Sequence, residues 1–190
     1  MKNGIHISKR ELDAAVLTVQ GELTRLGLWN EGSRLHRADV IWCAFPQWPP
    51  KALGFFIHSS PKILAAIGYR PGHLYIPALV LGRRNVLDVV RHEYAHALAH
   101  YYPLLIQRSR AFTAAFGGRY SSGTPLPGSD RAQDFVSAYA ATEPCEDFAE
   151  TFMVYLRRKG KPLASSSRAI TRKWKFIVVV VANIRRGAVR

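Results

Sequence analysis

Two histidines and a glutamate stand at a spacing that suits metal chemistry. The chain contains His92-Glu93-Tyr94-Ala95-His96, an H-E-x-x-H pattern inside a stretch of helical periodicity. Residues four apart lie on one face of an α-helix, so both imidazoles could direct a ring nitrogen at one ion. Glu93 would project beside them, where it could accept a proton from a metal-bound water. The alternative is a helix with two core or surface histidines beside a solvated glutamate.

A catalytic zinc ion takes three protein ligands and keeps a fourth position for water, so a third ligand is needed. His100 extends the series, but it lies about 12 Å from His92 along a helix that rises about 1.5 Å per residue. Glu146 is the better candidate, because Glu146 and Glu150 stand four apart on another predicted helix. Glu150 could accept the second N–H of a ligating histidine and so fix the orientation of its ring. Acidic residues that merely complement a helix dipole would give the same pattern.

The stretch from Phe135 to Phe152 carries a family resemblance. It begins Phe-Val-Ser-Ala-Tyr-Ala and ends Pro-Cys-Glu-Asp-Phe-Ala-Glu-Thr-Phe. It resembles the S-A-Y-A … P-W-E-D-F-A-E-T signature of bacterial zinc-binding metallopeptidases of the gluzincin class. The catalytic domain of anthrax lethal factor has a similar layout of H-E-x-G-H, S-Y and E-x-x-A-E. The likeness covers about residues 85–160. Ala95 stands where these families usually have Gly, and Cys145 replaces a common Trp.

The resemblance implies a role for each matching residue. His92, His96 and Glu146 match the ligands of one zinc ion, Glu93 matches the general base, Glu150 matches a carboxylate behind the ligands, and Tyr139 matches a tyrosine that stabilises the oxyanion or protonates the leaving group. Without the resemblance, Tyr139 could equally be a residue at the edge of the core. Asp88, one turn before His92, is favoured as an early-turn acid over an acceptor for that histidine. Cys145 is interpreted as a packing residue.

The surplus of positive charge belongs to the C-terminal part of the chain. The 190 residues carry 27 Lys and Arg against 13 Asp and Glu, a net charge of +14. Residues 157–190 hold 11 of the basic side chains and no acid, whereas residues 1–156 are nearly balanced. A solvated helix face is the commoner explanation, and attraction to nucleic acid, an anionic membrane or an acidic protein is the alternative. No nucleic-acid-binding motif accompanies the basic segment.

The cysteine content and the hydropathy of the chain indicate the cellular compartment in which the protein is found. Two cysteines are too few for a disulfide-bonded secreted scaffold or a four-thiolate zinc site, and they fit a reducing compartment. The N-terminal residues are charged where a signal peptide would have an apolar core. The longest apolar run, 176–182, is much shorter than the roughly 20 residues that span a bilayer. We therefore expect a cytoplasmic protein without a transmembrane segment, with secretion by a signal-independent route as the alternative.

The elements that position the candidate residues can be outlined from capping and turn signals. Ser8 and Glu11 form a capping box before an amphipathic helix that should stop near Gly27. Candidate strands lie at 39–45, 52–58 and 73–81. Pro77 cannot donate a ladder hydrogen bond, so the strand 73–81 is expected at a sheet edge bordering the cleft. A substrate peptide could add to that edge as a further strand.

The chain after residue 84 is predicted to be mainly helical. Capping and stop residues predict four helices: one from Asn85 to Pro103, one over 104–116 ending at Gly117, one capped by Asp130 or Thr142 and ending near Gly160, and one over 170–184. The last stretch fits two structures, because its four consecutive valines favour a strand. The spacing of Ile170, Trp174 and Ile177 favours a helix, and we favour the helix.

The elements and the resemblance together predict an α+β, zincin-like fold with an N-terminal helix, a small mixed sheet and a zinc-binding helical half. Residues 1–160 are expected to form the metallopeptidase domain, and residues 161–190 a basic helix packed on it. The expected function is hydrolysis of peptide bonds in a peptide or protein by a water that one zinc ion activates. The alternatives are a crosslink-type protease recruited to nucleic acid, a non-enzymatic binding module, and a secreted toxin or effector protease.

Overall fold

The chain folds into a mixture of helices and short strands. The computed structural model describes residues 4–43, 55–56, 70–81, 85–122, 132–164 and 167–187. Within these residues, α-helices run over Lys9–Arg25 (α1), Val86–Tyr101 (α2), Arg110–Phe116 (α3), Pro144–Arg157 (α4) and Arg168–Arg185 (α5). Strands run over Gly4–His6 (β1), Val40–Cys43 (β2), Phe55–Phe56 (β3), Leu74–Pro77 (β4) and Leu79–Leu81 (β5). The predicted α+β class is confirmed.

The N-terminal helix begins at the predicted capping box. The Ser8 hydroxyl accepts a hydrogen bond from the Glu11 backbone N–H at 3.2 Å, and the Glu11 carboxylate accepts one from the Ser8 N–H at 2.8 Å. These two bonds satisfy backbone donors that a helix start leaves open. The apolar stripe Leu12, Val19 and Leu23 is buried, and it packs α1 against α2, the helix that carries both histidines.

Helix α2 lies at the centre of the described structure. It begins at Asn85, whose side chain accepts a hydrogen bond from the Asp88 N–H at 2.9 Å. Every residue from 88 to 99 is buried, because α1, α4, β3 and β4 all pack against this helix. The buried guanidinium of Arg91 binds Glu22 of α1 at 2.6 Å and Asp88 at 2.8 Å. The contact with Glu22 fixes α2 against α1, and the contact with Asp88 lies within α2.

The sheet differs from the prediction at strand 73–81, which forms two strands in two sheets. Strand β4 lies between parallel β2 and antiparallel β3, so the predicted edge position is wrong for β4; β5 pairs with antiparallel β1. Pro77 is tolerated because it is the last residue of β4, beyond the residues that pair with β3. Ala78 joins the sheets: its N–H donates to the Cys43 carbonyl at 2.8 Å, and its carbonyl accepts from the Ile7 N–H at 2.6 Å.

Two predicted helix boundaries are also wrong. The helix predicted over 104–116 begins only at Arg110, because residues 103–108 form turns and the Ser109 hydroxyl caps the next segment. Helix α4 begins at Pro144 without a side-chain cap, and proline suits this position because it has no N–H to satisfy. The Thr142 hydroxyl instead donates to a backbone carbonyl at 2.7 Å.

Several predicted features lie outside the described residues. These are the ends of two candidate strands, at 44–45, 52–54 and 57–58, and the candidate cap Asp130. The helix favoured over 170–184 is confirmed as α5. Among the described helices, none is both long enough and apolar enough to span a bilayer.

An aromatic cluster holds the helical half together. Its members come from α3, α4 and α5, and their ring centroids lie 4.7–6.4 Å apart in contacting pairs. They are Phe112, Phe116, Phe148, Phe152 and Phe176, all of which are buried. Large apolar rings of this kind contribute a substantial part of core burial. The cluster therefore sets the position of α4 from the side opposite to α2.

Candidate metal site

The two histidines of α2 direct the same ring nitrogen at one point. Their side chains are one turn apart on the helix, and their ring centroids lie 4.9 Å apart. The Nε2 atoms of His92 and His96 are 3.1 Å from each other. Both residues are buried, at 5% and 8% exposure. The spacing of four residues therefore produces the convergence that its geometry predicts.

Helix α4 brings a carboxylate to the same point. Glu146 Oε2 lies 3.1 Å from His92 Nε2, and Glu146 Oε1 lies 3.6 Å from His96 Nε2. One ligand atom from each of the three residues lies within 4.8 Å of the others, so the group could hold a metal ion. Two imidazole nitrogens and one carboxylate oxygen form a ligand set typical of catalytic zinc sites. The structure therefore brings together the three predicted ligands.

The outer nitrogen of each imidazole has a buried partner. His92 Nδ1 lies 2.7 Å from Glu150 Oε1, and the Ser137 hydroxyl donates to Glu150 Oε2 at 2.7 Å. His96 Nδ1 lies 2.8 Å from the Tyr120 hydroxyl oxygen. When each Nδ1 carries the proton and donates to its oxygen, each Nε2 presents a lone pair. Two lone pairs and a carboxylate facing one another fit a bound cation, so these residues fit zinc.

The charges of the ligand group also favour a bound cation. Burial would lower the pKa of His92, but hydrogen bonds with Glu146 and Glu150 raise that pKa to about 9. Burial would raise the pKa of Glu146, but the two imidazoles lower it well below its usual range. Burial also raises the pKa of Tyr120, so its hydroxyl stays neutral. The Glu146 carboxylate, held in its charged form beside two imidazoles, favours positive charge at this point.

The remaining predicted site residues lie near the ligand group. Glu93 is buried at 2% exposure, and its charge raises the pKa of His92, so it lies within electrostatic range of that ring. Tyr139 is 41% exposed, and its ring centroid lies 5.8 Å from that of His92 at an angle of 42°. Tyr139 is therefore beside the group but open to solvent, where a bound substrate could reach it.

Three other residues considered from the sequence have different surroundings. His100 is outside the ligand group, and its ring packs edge-on against Tyr101 at 4.9 Å. Asp88 lies in the first turn of α2, as expected for an early-turn acid, and forms ion pairs with Arg91 and Arg157. The Cys145 sulfur lies 3.9 Å from Glu146 Oε1. Burial and the neighbouring carboxylates raise the pKa of that thiol, so it is protonated in the metal-free protein.

Sequence reasoning missed two residues that contact the site. Tyr120 follows His96 by 24 positions in a turn after α3, and no fixed spacing connects such a residue to a histidine. Ser137 had a signal, because it lies within the stretch that carries the family resemblance, two positions before Tyr139. It accepts a hydrogen bond from the Ala140 N–H at 3.1 Å while it donates to Glu150.

The basic C-terminal segment forms a separate surface. Its helix α5 exposes Arg168, Arg172 and Lys175, which with Thr171 line a groove of about 390 Å³. No feature of the described residues identifies a nucleic acid as its partner.

The candidate site lies in a stretch that resembles known proteins. Residues 78–161 match the family model described as "Putative zinc-binding metallo-peptidase". No significant match was found among curated proteins or among solved structures. The matched stretch contains α2, α3 and α4, and therefore every residue of the ligand group. The match supports a zinc-binding peptidase, and with it a peptide or protein as substrate.

Proposed function

We propose that the chain is a gluzincin-type metallopeptidase in which His92, His96 and Glu146 hold one zinc ion. The observation that carries the proposal is the convergence of the two Nε2 atoms and the Glu146 carboxylate, which are 3.1–3.6 Å apart. The layout of ligands also has the order seen in anthrax lethal factor, with H-E-x-x-H on one helix and the glutamate on a later one.

The residues around the ligands have different roles in hydrolysis. Zinc bound there would lower the pKa of a water ligand and polarise the scissile carbonyl. Glu93 accepts the proton of that water and later gives it to the leaving amine. Its burial suits this role, because a carboxylate in a dry site is a stronger base than one in water. Tyr139 donates a hydrogen bond to the carbonyl oxygen as negative charge develops on it.

The outer residues keep the two imidazoles in the tautomer that ligation requires. Glu150 accepts a hydrogen bond from the Nδ1–H of His92, and Ser137 holds Glu150 in place. Tyr120 accepts a hydrogen bond from the Nδ1–H of His96, so its own hydroxyl hydrogen must point elsewhere. Partners of this kind fix the orientation of a ligand as well as its tautomer. We place the catalytic domain within residues 1–160, with α5 packed on it.

The test is the variant Glu93→Gln, with Glu31→Gln as a matched control at an exposed position. Glu93→Gln should retain one zinc ion per chain and lose peptide hydrolysis by about 10²–10⁴-fold, because the amide cannot accept the proton. Zinc is measured by elemental analysis, and hydrolysis with a peptide library in the presence and absence of a chelator. Full activity of Glu93→Gln would exclude this residue as the base. Zinc-loaded wild-type protein that cleaves no peptide would instead favour a binding module.

A further inference from the structure

One basic residue of the C-terminal segment is inside the protein. Lys173 of α5 is 3% exposed, whereas the other lysines and arginines described between 157 and 187 are exposed. A buried ammonium is costly unless it is paired and hydrogen-bonded. Lys173 is therefore not part of the solvated face that the composition of the segment suggests, and its partners show what it does.

The ammonium of Lys173 joins three parts of the fold. It lies 2.6 Å from Asp147 Oδ2 on α4. It also donates to the Asp134 backbone carbonyl at 2.7 Å and stands 4.1 Å above the centre of the Phe135 ring. Asp147 is fully buried and accepts a further hydrogen bond from the Thr151 hydroxyl at 3.3 Å. One side chain thus links α5 to α4 and to the segment that precedes Ser137.

Both linked parts carry residues of the proposed site. Asp147 follows Glu146 directly, in the first turn of α4. The segment that begins at Asp134 continues to Ser137, which holds Glu150, and to Tyr139. A contact that fixes Asp147 and Asp134 together therefore fixes the carboxylate ligand relative to the tyrosine and the serine that serve the same site.

A contribution to stability alone does not explain a buried ion pair of this kind. Replacing such a pair by apolar residues is often neutral or stabilising, because desolvation of the two charges offsets their attraction. A short ion pair and a hydrogen bond from one ammonium, in contrast, are directional. The feature that they supply is a defined distance between α4 and the 134–139 segment.

We infer that Lys173 is a positioning residue. Through its contacts from α5, it fixes the position of Glu146 relative to Tyr139. This inference rests on the proposed function. One lysine of the basic segment is then part of the framework of the site rather than of a charged surface. The inference concerns Lys173 only, because it is the buried lysine of α5.

The test is the double variant Lys173→Met with Asp147→Asn, which removes both charges. The single variant Lys173→Met leaves Asp147 buried without its cation, so it can fail by unfolding. In the double variant, the Thr151 hydroxyl can still donate to the amide oxygen at position 147, and no unpaired negative charge is buried. Lys175→Met, at an exposed position two residues on, is the matched control. Val181→Ala, in the buried face of α5, is a control that lowers stability without touching the ion pair.

The measurements are kcat, KM and the zinc Kd by competition with a chromophoric chelator. We expect the double variant to lose about tenfold in kcat with KM changed less than threefold, and to bind zinc about tenfold more weakly. Val181→Ala should lower Tm and leave the zinc Kd unchanged. A double variant with wild-type kcat and zinc Kd would overturn the inference, as would equal effects from Val181→Ala. If wild-type protein has no peptidase activity, the proposed function fails, and the zinc Kd still tests Lys173.

Discussion

Replacing Glu150 with glutamine should weaken zinc binding more than replacing Tyr120 with phenylalanine. Both side chains hold the outer nitrogen of a proposed ligand, at 2.7 Å for Glu150 and 2.8 Å for Tyr120. They differ in charge, because Glu150 is a buried carboxylate and Tyr120 a neutral hydroxyl. The amide of Glu150→Gln can accept from His92 through its oxygen, but its NH₂ group then faces the Ser137 hydroxyl, and the negative charge is gone.

The magnitude follows from the kind of hydrogen bond that is lost. A bond to a charged group contributes about 1.5–3 kcal/mol, and a bond between neutral groups about 0.5–1.5 kcal/mol. At about 1.4 kcal/mol for each factor of ten, Glu150→Gln should raise the zinc Kd by roughly 10–150-fold. Tyr120→Phe should raise it by roughly 2–12-fold.

The assay is competition between the protein and a chromophoric chelator for zinc at constant pH. Glu31→Gln, an exposed acid, serves as the control for the loss of one carboxylate. Circular dichroism of each variant shows whether the helices remain. Equal losses for Glu150→Gln and Tyr120→Phe, or a larger loss for Tyr120→Phe, would refute the assignment of Glu150 as the charged anchor of His92.

Two further predictions concern the metal ligands themselves. Glu146→Ala should reduce bound zinc to well below one ion per chain in elemental analysis, because it removes one of three ligands; an unchanged stoichiometry would contradict the assignment of Glu146 as the third ligand. Stability should also depend on pH in the metal-free protein. The folded-state pKa of His92, about 9, lies above the usual value of 6.5, so its contribution is complete below pH 6.5 and is lost as pH rises through 9. The loss should be on the order of 3 kcal/mol in urea unfolding with a chelator present, and zinc, which replaces the proton, should reduce it. Unfolding of metal-free protein that is constant over pH 6.5–9 would contradict the assignment of a proton to His92.

Local features of the helices could be predicted from the sequence because their causes are local. The capping box of Ser8 and Glu11 and the cap at Asn85 depend on residues three positions apart, and both form as expected. The common face of His92 and His96 follows from helix geometry alone. Glu146 was proposed from its spacing to Glu150, and the family resemblance supported it, since nothing in the spacing of two helices determines which of their faces meet.

Features that depend on distant partners were missed or mispredicted. The strand containing Pro77 was predicted at an edge, because proline lacks a donor, but β4 lies between β2 and β3, and the described residues of β3 pair with Leu74 and Tyr75 in the first part of β4. Tyr120 reaches His96 through a turn whose path no periodic signal describes. Lys173 was counted with the basic face, because composition gives its charge and not the acid that it meets on α4.

The complete burial of α2 between residues 88 and 99 has a consequence for how such a protein diversifies. A helix with no solvent-facing position in this span offers no site where selection or a designer can vary substrate choice at low cost. New selectivity has to arise on the elements around the helix, and among the described residues the segment near Tyr139, which is 41% exposed, is accessible to solvent. A randomised library confined to the exposed positions Ala132, Gln133, Ala138 and Thr142 would therefore retain folded members while changing which peptides they accept.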